Sequence, residues 1–281
     1  MMNLFLSWYM PITFFIIGVC IGSFVNVVIY RYPLIMLQKY NSSFNKISLS
    51  YPASHCTVCK NKILKRDNIP VLSWLLRKGR CRYCDTKISI NYLITEAFFG
   101  FVFLFSVLYL YPSVGILSVI AVLILFSYLY SIFFIDLKFF LIPDVMCYSL
   151  LFLGFIFSYF NLIPISIILS LSGSVFAYII VYVSALIFKM IRNIDGIGFG
   201  DYKLFAVGGA WVGFFNIPYL VLLSSFIGII FYLLNKAFRF SSIDNLNYLD
   251  DLISVKDRVI PFGPAICISI YIYILYLFIN R

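Results

Sequence analysis

Four residues, Gly198-Phe199-Gly200-Asp201, carry the strongest chemical signal in this sequence. They lie between two long apolar stretches, where a charged side chain costs on the order of 3 kcal/mol or more. A carboxylate that is kept at such a place is a candidate functional group. Because glycine lacks a Cβ atom, we expect the backbone to unwind at Gly198 and Gly200 and to bring Asp201 close to a substrate chain.

A second acid, Asp136, ends another apolar run, and Ile142-Pro143-Asp144 follows it. Two carboxyl groups that face each other share a proton and activate water, which is aspartic-protease chemistry. We therefore predict that Asp136 and Asp201 form a pair. Lys203 is expected either to change the acidity of this pair or to extend towards lipid headgroups.

Four of the seven cysteines form two C-x-x-C pairs, and 21 residues lie between the pairs. Thiolates at this spacing can hold one tetrahedral Zn²⁺, while the alternative is free thiols in a loop. A zinc ion with four protein ligands has no open position, so its role would be structural. His55 adjoins the first pair and is interpreted as a bystander. The predicted ligands are Cys56, Cys59, Cys81 and Cys84.

The composition indicates a membrane protein with several spans. The chain has 281 residues, of which 63% are hydrophobic and 11% charged, and its mean hydropathy is +1.02. Such a balance is not found in water-soluble domains. The first 30 residues carry no charge and lack the basic start of a signal peptide, so we expect them to stay as a membrane helix.

Apolar runs of about 20 residues can cross a bilayer, and they predict an all-α protein with about eight transmembrane helices. Breaks are expected at Tyr111-Pro112-Ser113, near Asn161-Leu162-Ile163-Pro164, and at Asn216-Ile217-Pro218 within the long uncharged run. The runs are 9–30, 93–111, 114–135, 144–160, 164–188, 204–235 and 259–280, with a short helix starting near Asp201. The predicted domains are a first transmembrane helix (1–31), a zinc-binding loop domain (32–92) and a seven-helix membrane domain (93–281).

The distribution of charge predicts the orientation. The net charge is +10, and 11 of the 21 basic residues lie between Lys39 and Lys87. Basic loops favour the cytoplasmic side of a membrane, and this pattern argues for contact with anionic lipid and against nucleic acid. With the N-terminus outside, 20 of the 21 basic residues face the cytoplasm, and so do the ends of the helices that carry the acids. The loops that would face the cytoplasm are 31–92, 136–143, 189–203 and 236–258.

Taken together and in this order, the motifs resemble the bacterial type IV prepilin peptidases. These are GxGD-type membrane aspartic proteases, and many of them are also N-methyltransferases. The resemblance covers nearly the whole chain, and the ordered set of motifs is specific although each one alone is weak. It rests on Gly22–Arg31, the two cysteine pairs, Asp67-Asn68-Ile69-Pro70, Ser73-Trp74-Leu75, Gly79-Arg80-Cys81, Ile88-Ser89, Tyr92, Glu96, Asp136, Ile142-Pro143-Asp144, Gly198–Asp201, Lys203-Leu204 and Pro261-Phe262-Gly263-Pro264.

The resemblance implies a reaction and assigns residues to it. Asp136 and Asp201 would cleave the basic leader of prepilins or pseudopilins after a glycine, at the cytoplasmic face of the bacterial inner membrane. The new N-terminal residue would then be methylated from S-adenosylmethionine, with Glu96 and Gly79 as candidates for the methyl-transfer site. The residues expected to support the aspartates are Gly198, Gly200, Asp144 and Lys203.

Three departures from the family pattern bear on methylation. Thr57 stands where the first cysteine pair usually has a proline, and Asn91 and Leu93 replace an arginine and a proline beside Tyr92. An intramembrane aspartic protease without methyltransferase activity is therefore the nearest alternative, and the mass of a processed pilin would distinguish it. Paired aspartates could instead serve a cation-coupled transporter, which would lose uptake rather than cleavage when they are changed to asparagine.

Overall fold

A computed structural model describes residues 2–40, 47–193, 196–238 and 261–280. Helices are the only elements longer than an isolated bridge in these ranges, so the predicted all-α class is confirmed. The chain divides into two compact units, 1–119 and 120–281, and each is described by itself. The functional division predicted at residues 31 and 92 stays a prediction. The helices are α1 (Met2–Tyr40), α2 (Leu72–Leu76), α3 (Ile90–Val114), α4 (Ile116–Phe139), α5 (Asp144–Tyr159), α6 (Ile167–Arg192), α7 (Phe199–Val212), α8 (Ile217–Phe238) and α9 (Gly263–Ile279).

In the first unit, small residues let α1 and α3 lie close together. A Cβ atom on Gly18 would be 2.6 Å from the carbonyl oxygen of Phe99, and one on Gly22 would be 2.9 Å from Phe99 Cβ. Packing of this kind is typical of membrane helices, where close backbone approach replaces the hydrophobic driving force. Any larger side chain at either glycine would force the two helices apart.

The first helix is longer than the sequence predicted, because it continues through Arg31 to Tyr40. The guanidinium of Arg31 is buried and donates hydrogen bonds of 2.7–3.1 Å to the carbonyl oxygens of Ser48, Leu49 and Pro52. Because the guanidinium makes its hydrogen bonds within the protein, it can be buried without contact with water. The helix therefore does not have to end at Arg31. Arg31 therefore ties the start of the following loop back onto α1.

In the second unit, α7 lies at the centre and contacts α5, α6, α8 and α9. Its C-terminal half is fully enclosed, and two hydrogen bonds join it to its neighbours. The hydroxyl of Ser170 on α6 donates to the carbonyl oxygen of Ala210 over 2.6 Å, and Trp211 Nε1 donates to the carbonyl oxygen of Leu150 on α5 over 3.0 Å. This surrounded position explains how a short helix can be held in place by packing.

In the part of the chain that the structure describes, eight apolar helices lie where the sequence predicted them, but their lengths differ. Among the described residues, five segments are long and apolar enough to cross a membrane, namely Tyr9–Gln38, Ile90–Val114, Ile116–Phe139, Ile167–Arg192 and Phe214–Leu234. The other three, α5, α7 and α9, have 16, 14 and 17 residues. At 1.5 Å per residue α7 covers about 21 Å, against about 30 Å of hydrocarbon. The number of eight crossings stays a prediction.

One predicted break is wrong by a few residues. Helix α3 runs through Pro112, and the chain breaks at Gly115, whose φ of +79° is easily reached only by glycine. The breaks predicted near Asn161 and Asn216 are confirmed, since α5 ends at Tyr159 and α7 and α8 are joined by the segment 213–216. The polar loop predicted at 236–258 lies outside the described residues from position 239 onward.

Candidate active site and metal centre

Asp136 and Asp201 are buried carboxyl groups that the second unit brings together. Asp136 lies in the last turn of α4 and is 5% exposed, and Asp201 lies in the first turn of α7 and is 9% exposed. Their carboxyl groups are close enough for their charges to interact, although Asp201 follows Asp136 by 65 positions. Two enclosed acidic groups whose charges interact are the arrangement on which shared-proton chemistry depends.

The backbone at the start of α7 explains why an aspartate belongs there. Gly198 is the N-cap, and the carboxylate oxygen Oδ2 of Asp201 accepts a hydrogen bond of 3.2 Å from the Gly198 amide. This is the acidic half of a capping box, which satisfies an amide that the helix itself cannot pair. The positive end of the helix dipole also favours negative charge at this position.

The unwinding predicted for the Gly-x-Gly segment is wrong. The helix begins at Phe199, so Gly200 is helical and only Gly198 is extended, with φ −72° and ψ 150°. The reason is the capping bond, which stabilises a helix start instead of an open strand. Gly200 has another role, because a Cβ atom there would lie 2.8 Å from Ile142 Cβ. It allows the segment that precedes α5 to approach α7 closely.

A glycine from a third helix borders the same site. A Cβ atom on Gly263, the first residue of α9, would lie 2.6 Å from Asp136 Oδ2 and 3.2 Å from Ile142 Cδ1. Asp136 Oδ2 is buried and has no hydrogen-bond partner within the described part of the chain. Sequence reasoning missed this role of Gly263. The neighbouring Pro264 marked a helix start, but no local signal connected it with Asp136.

Asp144 lies outside the buried pair. It is the first residue of α5, its side chain is 53% exposed, and its Oδ1 lies 2.6 Å from Lys203 Nζ. The same ammonium group stands 5.7 Å from the ring centre of Tyr148. Lys203, expected to act on the aspartate pair or to extend to headgroups, thus forms an ion pair that joins α5 to α7 two residues after Asp201.

In the first unit, the four predicted cysteines form one cluster. Their sulfur atoms all lie within 4.8 Å of one another, with 3.8 Å between Cys56 Sγ and Cys84 Sγ and 3.9 Å between Cys59 Sγ and Cys81 Sγ. Four sulfurs at these separations are positioned to bind a metal ion. The ring of His55 is turned to the Ala53 carbonyl oxygen, with Nδ1 3.0 Å from it, and its interpretation as a bystander stays a prediction.

The two cysteine pairs are folded by the same kind of turn. In the first, the Lys60 amide donates to the Cys56 carbonyl oxygen over 3.0 Å, and in the second the Asp85 amide donates to the Cys81 carbonyl oxygen over 3.2 Å. Both Lys60 and Asp85 have a positive φ, of 59° and 53°. These turns point the two sulfurs of each pair to the same side. The spacing of the cysteines therefore determines the local geometry of the site.

Neighbouring side chains support the second cysteine pair. Arg82 donates two hydrogen bonds, of 2.6 and 2.7 Å, to the carboxylate of Asp67, and this guanidinium holds the pKa of Asp67 below its usual range. Cys84 lies 3.2 Å from the hydroxyl of Thr86. The hydrogen bond from Thr86 lowers the pKa of Cys84 to about 6. The thiolate is the form of cysteine that binds a metal, and a hydrogen bond to Cys84 Sγ stabilises that form.

The two candidates for methyl transfer have structural partners in the first unit. Glu96 is buried, and its Oε2 accepts a hydrogen bond of 2.6 Å from the amide of Val71. Gly79 has a φ of +65°, and a Cβ atom there would lie 2.6 Å from the ring of Trp74. Both therefore stabilise the loop around α2. These contacts give each of them a packing role, and their part in methyl transfer stays a prediction.

Comparison with known proteins gives consistent matches over most of the chain. The family model of the bacterial peptidase A24 N-terminal domain matches residues 16–110, and that of the type IV leader peptidase family matches residues 123–233. A type 4 prepilin-like protein leader peptide-processing enzyme of Escherichia coli is 35% identical, over 93% of this chain and 91% of the relative. A prepilin leader peptidase/N-methyltransferase of Vibrio cholerae is 38% identical, over 93% and 94%, and one of Neisseria gonorrhoeae is 32% identical, over 90% and 86%. No solved structure matches the chain.

The helices, the buried acid pair and the four-cysteine cluster define an α-helical membrane protein with four cysteines positioned to bind a metal ion. The extent and identity of the matches decide the family within this class. The chain belongs to the type IV leader peptidase family. The resemblance seen in the sequence motifs is thereby confirmed.

Proposed function

We propose that this protein cleaves the leader peptide of type IV prepilins or pseudopilins and methylates the N-terminal residue that cleavage exposes. The name of its relative in Escherichia coli describes leader-peptide processing, and the name of its relative in Vibrio cholerae describes both a prepilin leader peptidase and an N-methyltransferase. The observation that carries the proposal is the buried pair, Asp136 in the last turn of α4 and Asp201 in the first turn of α7. Burial of two acidic side chains lowers the stability of the fold. A role in peptide hydrolysis, which needs no cofactor, explains why both acids are present.

The hydrogen bonds of the two carboxyl groups indicate which one acts as the general base and which one carries the proton. Asp201 accepts an amide hydrogen bond at a helix N-terminus, an environment that suits a carboxylate, so we assign it the role of general base towards water. Asp136 Oδ2 has no partner among the described residues, so we assign the shared proton to it. Asp136 then donates that proton to the oxygen of the scissile carbonyl while water, deprotonated by Asp201, attacks its carbon.

Changing each acid to asparagine tests the pair, because the shape is kept and ionisation is lost. Asp136→Asn and Asp201→Asn should each abolish prepilin cleavage, and the double variant should be hardly worse than either single one, since the residues act as a unit. Asp144→Asn, which breaks an exposed ion pair, should reduce activity far less. Intact-mass analysis of the pilin product in the presence of S-adenosylmethionine reads both activities at once.

The same experiment contains its own control for folding. Methylation of a pilin that has already been cleaved should persist in the Asp201→Asn enzyme, because methyl transfer does not use the acid pair. Full cleavage by Asp201→Asn would contradict the protease proposal. Substantial cleavage by Asp136→Asn, together with inactivity of Asp144→Asn, would mean that Asp144 and not Asp136 is the partner of Asp201.

We further propose that the cysteine cluster holds structural zinc. Zn–S bonds of about 2.3 Å in a tetrahedron place the sulfurs about 3.8 Å apart, and the 3.8 and 3.9 Å separations between Cys56 and Cys84 and between Cys59 and Cys81 support this fit. Such a metal would join the two turns of the loop domain. The methyl donor would be S-adenosylmethionine, and the basic loops favour an active site at the cytoplasmic face of the inner membrane.

A further inference from the structure

A cavity of about 540 Å³ lies in the first unit where the loop domain meets the start of α3. Its lining includes Trp74 from α2, Gly79, Ile90 at the start of α3, and three cationic residues, Lys78, Arg80 and Lys87. All three cations are exposed, and none of them forms an ion pair in the ranges that the structure describes. A concave site with three positive charges is suited to an anion.

The short helix beside this cavity presents leucines outward. Leu72, Leu75 and Leu76 are 57%, 54% and 81% exposed, although they belong to a loop that the sequence assigns to water. Their neighbour Trp74 turns towards the cavity instead, against the backbone of Gly79. Helices that carry apolar residues on one side and stand next to cationic groups typically lie in the interface of a bilayer.

The position of the cavity in the chain indicates which bilayer surface this is. Ile90 both lines the cavity and begins α3, a helix long and apolar enough to cross the membrane. The cavity therefore opens at the level where hydrocarbon gives way to headgroups. Anionic headgroups attract basic segments at this depth, by about fivefold in affinity for each Lys or Arg. The positive charge of the cavity and its depth in the bilayer thus both favour an anionic headgroup as the ligand.

We propose that this cavity binds the headgroup of an anionic phospholipid, and that the α2 leucines insert into the same leaflet. The phosphate lies among Lys78, Arg80 and Lys87, and the acyl chains continue along the leucines and Ile90. Binding of this kind fixes the cysteine-containing loop domain against the membrane surface. It goes beyond the proposed peptidase activity and does not depend on it, and it places Gly79, a candidate for methyl transfer, beside a lipid headgroup instead.

The test uses the full-length protein in nanodiscs and reads the fluorescence of Trp74. The chain has three tryptophans, so the Trp74 signal is the difference between the parent and Trp74→Phe. We expect brominated phosphatidylglycerol to quench this signal more strongly than brominated phosphatidylcholine. Replacing Leu72, Leu75 and Leu76 by serine should weaken quenching by both lipids, because α2 then leaves the hydrocarbon.

Matched variants separate the cavity from general charge. Lys78→Gln, Arg80→Gln and Lys87→Gln together should lower the preference for phosphatidylglycerol by up to about 10²-fold, at about fivefold per charge. The control removes three charges from the same loop domain outside the cavity lining, at Lys62, Lys65 and Arg66, and should keep most of the preference. Metal content and prepilin cleavage establish that each variant is folded.

Three results would overturn the proposal. Equal quenching by the two brominated lipids would show that the site does not select anionic headgroups. An equal loss of preference in both triple variants would show that only the overall charge matters. Recovery of Trp74 fluorescence on addition of S-adenosylmethionine would assign the cavity to the methyl donor instead of a lipid. Cleavage activity is measured separately, so none of these results bears on the aspartate pair.

Discussion

Substitution of Gly263 by alanine tests the geometry of the acid pair without touching either acid. The new Cβ atom would lie 2.6 Å from Asp136 Oδ2, whereas ordinary contact begins at 3.4 Å, so the carboxyl group or α9 must move by about 0.8 Å. The backbone of Gly263 has no positive φ, and the effect is therefore one of space alone. A displacement of about 1 Å in a catalytic group costs about 10²-fold. We expect kcat/KM for prepilin cleavage to fall by about that factor, which corresponds to about 2.7 kcal/mol in activation free energy.

The assay is cleavage of purified prepilin by the detergent-solubilised enzyme, with methylation of a cleaved pilin measured beside it. Gly208→Ala is the matched control. A Cβ atom at Gly208 would lie 2.7 Å from Leu220 Cδ2 and 3.1 Å from Ile270 Cγ1, which is a similar overlap two turns away from the acids. We expect this control to lower thermal stability and to keep kcat/KM within a few-fold of the parent.

Two outcomes would contradict this reasoning. If Gly263→Ala cleaves prepilin as fast as the parent, the close contact with Asp136 has no part in catalysis. If both variants lose cleavage equally, the loss reflects helix packing in general and not the position of the carboxyl group. Loss of methylation in Gly263→Ala would likewise indicate a general defect, because methyl transfer does not use the acid pair.

Three further predictions concern the loop domain and the membrane topology. Elemental analysis should find about one zinc per chain, and a folded parent protein without metal would contradict the proposed site. The Cys56→Ser variant should lose the metal, and its methylation activity should fall more than its cleavage activity. A reporter fused after Asn161 should be external, and a cytoplasmic signal there would overturn the helix count. Because Arg82 lowers the pKa of Asp67, their ion pair stabilises the loop above about pH 4 and this stabilisation is lost as the pH falls through the lower folded pKa. Thermal unfolding of Asp67→Asn should thus differ from the parent at pH 7 and converge with it below pH 4, and a constant difference would refute the linkage.

The sequence alone was sufficient for everything that depends on local pattern. Hydropathy located the eight long helices, because burial in lipid is a property of each segment and does not depend on its neighbours. The C-x-x-C spacing predicted that the four cysteines form one cluster, because each pair forms its turn within five residues. The ordered motifs also indicated the family. The terminal residues of the helices were less certain, and the break at Gly115 and the extension of α1 beyond Arg31 were missed.

Only the tertiary structure decided which groups meet. Asp136 and Asp144 end and begin neighbouring helices, yet packing buries the first and leaves the second exposed in an ion pair with Lys203. The role of Gly263, 127 positions after Asp136, depends on how α9 packs against α4 and cannot be seen in a local pattern. The Gly-x-Gly segment is helical and not open, because Asp201 caps its own helix. Contacts between distant segments depend on the fit of whole helices, and this is information that spacing and hydropathy do not contain.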